Sequence, residues 1–337
     1  MTELRHDFAS DNTAGVAPEA LQSLIEANAG TQAAYGEDAV TARAAALVCA
    51  ALGVEAQVRF LASGTAANAL ALAMLARPFE AVLAHEHAHI VTSETGAPGF
   101  YGSGLGLIGL TGASGRIDPA ALADAIAAPQ SPHRQSPAAL SLTDATEYGA
   151  VYAPETLAGL IGAAKAAGLR VHLDGARLAN AAAAGLDLKT LAGMGVDVLV
   201  MGGAKAGLSP SEALVVFDPD LAHRLDARLK SAGQMVSKAR FLAAPWIGAL
   251  ESGAWTARAA HANAMARRLA ALMPFDIVHP VETNAVFAVM DPAAHARLTA
   301  QGWSVHRLAD GAARFMCSWA TTPEAVDDLG AGLARIA

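Results

Sequence analysis

"LRVHLDGARLANAAAAGLDLKTLAGMGVDVLVMGGAKAGL", residues 169–208, decides the fold class of this chain. Two short apolar runs, "LRVHLD" and "VDVLVM", bracket an alanine-rich segment of helical composition. Apolar runs of this length, closed by Gly and small residues, read as strands buried on both faces. From Asp174, at the end of the first run, to Lys205, just past the second, is 31 residues. That is the span of one strand–helix–strand unit, about 30 residues, which joins parallel strands. The same stretch poses a chemical question, because Lys205 is a lone cation among Ala and Gly. One answer is a turn whose lysine reaches into water, since Lys is seldom buried unpaired. The other is an amine deliberately left unpaired, which loses its proton and forms a Schiff base.

Outward from this unit the alternation continues. "AQVRFLAS" (56–63) reads as a strand running into the helix "GTAANALALAMLA" (64–76), and "AVLAHEHA" (81–88) as a strand ending in histidines. "DPAALADAIAA" (118–128) has Asp118 as N-cap and Pro119 at the first helical position. "PAALSLTDAT" (137–146) reads as a strand, "APETLAGLIGAAKAAG" (153–168) as a helix closed by Gly168, and "EALVVFD" (212–218) as a return strand. The expectation is an α/β fold, a mostly parallel sheet with helices on both faces. After about residue 235 the pattern changes to a long helical stretch, 237–273, expected to break at Pro245 and near Gly253. "NAVFAVMD", "WSVHRL" and "ARFMCSWA" follow as three strands around one helix, a smaller α/β lobe. The Pro/Ser-rich "APQSPHRQSP" (128–137) is expected to be an exposed excursion.

Composition excludes several classes. The chain has 337 residues, of which 53% are hydrophobic, yet its richest apolar window is interrupted by Asn68, Arg77 and Glu80, so a membrane span is not expected. The start, "MTELRHDFASD", has no apolar core of the signal-peptide kind, which makes the cytoplasm the expected location. Two cysteines far apart suggest neither a disulfide framework nor a zinc site. A net charge of −8 without a basic block argues against nucleic acid as partner. Charged residues are only 16% of the chain, thin cover for a monomer's surface, which points to subunit interfaces.

Ligands of open α/β sheets collect at the carboxyl ends of the strands. Asp174 and Lys205 fall there, as does "SGTAAN" (63–68), whose small residues open a helix with free N–H groups able to cradle a phosphate. "HEHAHI" (85–90) delivers three imidazoles after another strand; His85, His87 and His89 would share one side if that strand continued, but no further ligand pattern supports a metal. The plainer alternatives are an N-cap at Ser63 and an Asp174 that caps the next helix and pairs with Arg177. "GLTGASGRI" (109–117) has the glycines of a dinucleotide turn but leads through Asp118 and Pro119 into a helix, a poor context for one. Taken together, the clusters fit pyridoxal 5'-phosphate (PLP). That cofactor needs a lysine for its aldehyde, an acid to keep the pyridine nitrogen protonated, a phosphate cradle and a flat group against the ring.

The chain resembles the L-threonine aldolases, PLP enzymes of fold type I in the beta-eliminating lyase group, especially the low-specificity bacterial type. The resemblance is carried by "FASDN", "YGED", "SGTAAN", "HAHIVTSETGAP", "SLTDATEYGAVY", "HLDGARLANA", "GGAKAG", "KSAGQMVSKARFLAA", "HANAMA" and "RFMCSWATT". It implies an aspartate aminotransferase-like architecture with a seven-stranded, mostly parallel sheet in a large PLP-binding domain, residues 16–235. Residues 1–15 and 236–337 would form the small domain. It implies reversible retro-aldol cleavage of L-threonine, L-allo-threonine and other β-hydroxy-α-amino acids to glycine and an aldehyde. The alternative is another fold type I enzyme, such as a β-eliminating lyase or aminotransferase, or more remotely a non-catalytic protein of this fold.

By resemblance, Lys205 would hold PLP as a Schiff base and Asp174 would pair with the pyridine nitrogen. Ser63, Gly64 and Thr65 would bind the phosphate, and His89 would stack on the ring and serve as base or hold a water. Ser10, Arg177 and Arg314 would grip the substrate carboxylate. Tyr35 would reach across the interface of a homodimer or homotetramer with active sites between subunits. Two departures stand out. Where many members read "ENTHN", with a histidine near the substrate hydroxyl, this chain has "TDATEYG" (143–149), so Glu147 or a neighbour takes that place, with His133 as a second candidate. Where the family often has Arg-Lys reaching a phosphate, this chain has Leu229-Lys230, leaving Arg228 or Lys230 for that contact.

Overall fold

The computed structural model describes residues 4–308 and 310–337. Seven strands build the large sheet: β1 (Gln57–Leu61), β2 (Glu80–His85), β3 (Gly106–Leu110), β4 (Ser136–Thr143), β5 (Arg170–Gly175), β6 (Val198–Met201) and β7 (Glu212–Val216). Their order is β1-β7-β6-β5-β4-β2-β3. β7 is antiparallel to both its neighbours, and every other pair is parallel. The opening stretch is therefore the expected crossover unit, with β5 and β6 adjacent and Asp174 opposite Val200. β3, "GLIGL", has no clear strand signal in sequence, because Gly106 and Gly109 blank its pattern. Both positions are close to neighbours: a Cβ at Gly106 would meet the end of the Gln135 side chain at 2.1 Å, and one at Gly109 would meet Glu86 Cβ at 3.1 Å.

Side-chain alternation along β6 shows how two cores arise from one sheet. Val198 and Val200 pack with the helix Gly64–Leu75, whereas Leu199 and Met201 pack against Ala39–Leu52, Pro154–Ala166 and Arg240–Glu251 on the other face. Helix ends follow their signals. Asp38 Oδ1 accepts the Thr41 N–H at 2.7 Å, Asp118 caps Pro119–Ala127, and Gly53 closes Ala39–Leu52 with φ of 67°. The break expected at Pro245 does not occur. Pro245 lies within the helix Arg240–Glu251, and the chain turns at Gly253, with φ of 74°. A mid-helix proline forfeits one backbone bond; here the buried Trp246 and Ile247 of the same turn anchor the helix in the large core. This helix, although beyond residue 235, thus packs on the large sheet.

The smaller lobe is an antiparallel sheet of β8 (Ala285–Val289), β9 (His306–Arg307) and β10 (Ala312–Met316), in the order β8-β10-β9. Its core takes in Phe8 from the N-terminal segment beside Val286, Phe315 and Leu329. Phe8 O accepts the Met316 N–H at 2.9 Å, and Arg5 lies 3.9 Å over the Trp303 ring. Residues just after Phe8 are thereby brought to the seam between the lobes. No described helix is long and apolar enough to cross a membrane.

Candidate active site

Asp174 ends β5 and is buried. Its Oδ1 accepts the Ala176 N–H at 3.0 Å and its Oδ2 accepts from Asn68 Nδ2 at 2.9 Å. Asn68 also donates to Glu94 Oε1 at 3.0 Å, and the same oxygen lies 2.9 Å from His89 Nδ1. One buried chain of polar contacts thus links the helix Gly64–Leu75, the imidazole of His89 and the carboxylate of Asp174. The strand β2 stops at His85, and His89 begins the short helix His89–Thr92. The three imidazoles therefore do not form a row: His85 Nε2 meets Gly112 O at 3.0 Å and His87 is exposed. Among the described residues no group of three His, Cys, Asp or Glu is placed to hold a metal ion.

Lys205 sits in the 3-10 turn Ala204–Ala206 after β6. The small residues around it are required by crossing backbones. A Cβ at Gly202 would fall 2.3 Å from Ala176 O, and one at Gly203 2.3 Å from Ser211 O. Trp255 Nε1 donates to Gly202 O at 3.1 Å, and Gly203 N–H donates to Glu212 Oε2 at 2.7 Å. This is a locked turn, not a loose one reaching into water. Burial pulls the Lys205 amine below its ordinary pKa and Arg177 adds repulsion, against opposing attraction from Asp11, Asp174 and Glu212. Burial also pushes Glu212 up to about 7. Lys205 and His89 line two adjoining cavities, of about 510 and 590 Å³.

The first cavity is the cradle. Ser63 Oγ accepts the Ala66 N–H at 3.3 Å and Ser63 O the Ala67 N–H at 3.1 Å, leaving the Gly64 and Thr65 N–H groups as the open donors of a helix N-terminus. Gly64 has room above it, with Glu212 Oε1 the nearest atom to a Cβ at 3.9 Å. A phosphate fits such a cradle, and a lysine whose pKa burial lowers, in the turn after β6, and a buried carboxylate near the end of the adjacent β5 fit the aldehyde and the pyridine nitrogen of PLP.

The second cavity gathers Ser10, Arg177, Arg314 and Glu147. Arg177 does not pair with Asp174. Its Nε and Nη2 donate to Asp11 at 2.7 and 3.0 Å, and Asn284 Nδ2 donates to Asp11 Oδ2 at 3.1 Å. Burial disfavours both charges, but each holds the other: the Arg177 pKa is raised and that of Asp11 is lowered. Arg314 is less satisfied. Nη2 reaches Ala9 O at 3.3 Å, while Nε is buried without a partner, and burial together with Arg177 lowers its pKa. A cation so placed suits an incoming carboxylate. Glu147 Oε1 accepts the His89 N–H at 2.8 Å, and Oε2 is buried with no partner.

Four expected residues lie apart from this cluster within the chain. His133 is exposed in the segment 128–135, which contains no helix or strand. Arg228 donates to Ala73 O at 3.4 Å, near the opposite end of the helix whose start forms the cradle. Lys230 lies 4.4 Å over the Tyr35 ring, and Tyr35, half exposed, lines a separate cavity of about 350 Å³ with Arg59 and Asp226. Asp11, Asn68, Glu94 and Glu212 support the site without having been singled out for it. Asp11 and Asn68 fall inside "FASDN" and "SGTAAN", but nothing local marks a carboxylate that will meet an arginine 166 residues away.

Residues 7–293 match the model of a family described as beta-eliminating lyase. The chain is 42% identical to a low-specificity L-threonine aldolase of Pseudomonas aeruginosa, over 98% of this chain and 97% of that one. A solved threonine aldolase of Leishmania major superposes with a TM-score of 0.92 at 28% identity, covering 98% and 99% of the two chains. An N-succinyldiaminopimelate aminotransferase of Mycobacterium tuberculosis shares the fold at a TM-score of 0.71 and 21% identity, covering 96% and 91%. The expected fold class, fold type I, is the one found.

Proposed function

The chain belongs to the beta-eliminating lyase family and, within it, to the low-specificity L-threonine aldolases; from this we propose how its site works. It is a lyase that cleaves L-threonine and related β-hydroxy-α-amino acids to glycine and an aldehyde with PLP as cofactor. The observation that supports the site reading is the placement of buried Asp174 near the end of β5 and of the depressed amine of Lys205 in the turn after the adjacent β6, beside an open helix N-terminus. When bound, PLP supplies an electron sink for the pair left at Cα.

Lys205 is the amine for the aldehyde, and Asp174, oriented by Asn68, is the partner of the ring nitrogen. Ser63, Gly64 and Thr65 take the phosphate, and His89, tethered through Glu94, lies against the ring. Arg314, Ser10 and Arg177 hold the substrate carboxylate, so that the Cα–Cβ bond is the one aligned for breaking. Tyr35, Lys230 and Arg228 are better suited to a neighbouring subunit's site than to their own, which supports a homodimer or homotetramer. Lys205→Ala should release no acetaldehyde from L-threonine. Borohydride should bleach the cofactor absorption of the unaltered enzyme and leave a label that maps to position 205. A label elsewhere would refute the assignment, and 2-oxobutyrate with ammonia as products would favour an eliminating lyase.

A further inference from the structure

The retro-aldol step needs a group that accepts the β-hydroxyl proton, and the larger cavity offers His87, His89, Tyr148, His306, Asp310 and Glu147. His87, His306 and Asp310 are exposed. His89 has Nδ1 engaged by Glu94 at 2.9 Å, and its ring face goes to the cofactor in the function proposed above. Tyr148 stacks 4.2 Å from His279, and burial raises its phenol above an already high ordinary value. Among the described lining residues, Glu147 alone combines one oxygen fixed by protein, through the His89 N–H, with a second that is buried and unpartnered, and it lines the same cavity as Lys205 and Arg314. An unpartnered buried carboxylate oxygen is costly unless a ligand satisfies it.

We infer that Glu147 is the catalytic base that takes the β-hydroxyl proton, an assignment that rests on the aldol-cleavage reading above. The O–H bond breaks toward Glu147 Oε2, and the oxygen's electron pair closes the carbonyl of the departing aldehyde. The Cα–Cβ pair stays with the Cα fragment, which takes a proton from solvent and leaves as glycine, while Glu147 releases the proton it accepted to solvent, so protons balance; nothing is oxidised or reduced. In the synthetic direction the Glu147 carboxylic acid returns its proton to the forming alkoxide. Burial and the nearby Asp174 push Glu147 up to about 7, while the His89 N–H and Arg177 oppose that rise. Tyr148 and Tyr152 complete the titratable groups around it. A base of this strength is matched to neutral pH.

The test uses the holoenzyme with L-threonine, Glu147→Gln and Glu147→Ala. Removal of a positioned base costs about 10²–10⁴-fold, so E147Q should lose turnover on that scale. Its affinity for glycine, which has no β-hydroxyl, should stay unchanged when read from the cofactor absorption spectrum. Added formate should restore aldehyde release to E147A. In the unaltered enzyme kcat/KM should rise with pH through about 7 as Glu147 ionises, and E147Q should lack that limb. Turnover by E147Q at the unaltered rate, or glycine binding lost together with turnover, overturns the assignment. So does failure of formate to rescue E147A while its glycine binding persists. If the unaltered enzyme itself releases no aldehyde from threonine, the aldolase reading fails first and this one falls with it.

Discussion

Asp11 and Arg177 illustrate how one contact can matter more than its position in sequence suggests. The guanidinium is held at two points, the Asp11 carboxylate is fully buried, and Asn284 fixes that carboxylate from the third side. Removing one partner of a buried, hydrogen-bonded pair leaves a charge without compensation, which costs about 3–5 kcal/mol. Asp11→Ala should therefore lose stability on that scale, read as a lower urea midpoint at an unchanged slope. A loss near zero would mean that Arg177 swings to another acid, such as Glu147 in the same cavity. Because the folded pKa of Asp11 lies below its ordinary 3.8, the pair's contribution is complete above that pH and fades as pH falls through the folded value. The resemblance singled out Arg177 for the substrate carboxylate; its anchor Asp11 was not legible, since the two meet only when the N-terminal segment is clipped to the small lobe.

The turn between β6 and β7 has a similar logic at the scale of an element. Gly202 and Gly203 are small because Ala176 O and Ser211 O pass where a Cβ would stand. Gly203 also abuts Trp246, which comes from a helix beyond the sheet and donates to Ser211 at 2.8 Å. Gly203→Ala should destabilise the protein by about 1–3 kcal/mol, the usual cost of overpacking. It should also displace Lys205 and lower cofactor occupancy, checked by melting temperature and by absorption of the bound cofactor. Retained occupancy with normal melting would show that the turn relaxes freely. Most of this was readable beforehand: the apolar runs of β5 and β6 and their separation placed Asp174 and Lys205 together. What was not readable depended on neighbours remote in sequence. β3 lost its pattern to glycines that sit close to Gln135 and Glu86, and Pro245 was tolerated because its helix is anchored in the core. The imidazole row failed because β2 ends at His85.

At the scale of the whole molecule, the chain gathers most of the candidate site alone, but Lys230 lies over the Tyr35 ring, and Tyr35 lines a different cavity. Tyr35 takes a left-handed φ of 60°, uncommon for a residue with a side chain, and is half exposed. Strain of that kind persists where surroundings enforce it, often at functional positions. Phe79 and Phe100 are 65% and 81% exposed, and charged residues are only 16% of the chain, so the single chain leaves large apolar side chains on its surface. If Tyr35 serves the partner's site, two defects on different chains can be separated. Lys205→Ala and Tyr35→Ala should each be impaired as pure homo-oligomers. Co-expressed, they should form mixed dimers in which one site carries both defects and the other carries neither. Aldehyde release from L-threonine should then exceed the sum expected from the two pure variants at equal protein concentration. If mixed oligomers form, as shown by differential tagging and purification, and no activity returns, Tyr35 acts within its own chain or not at all. The interface would then have to be sought on another face of the large sheet.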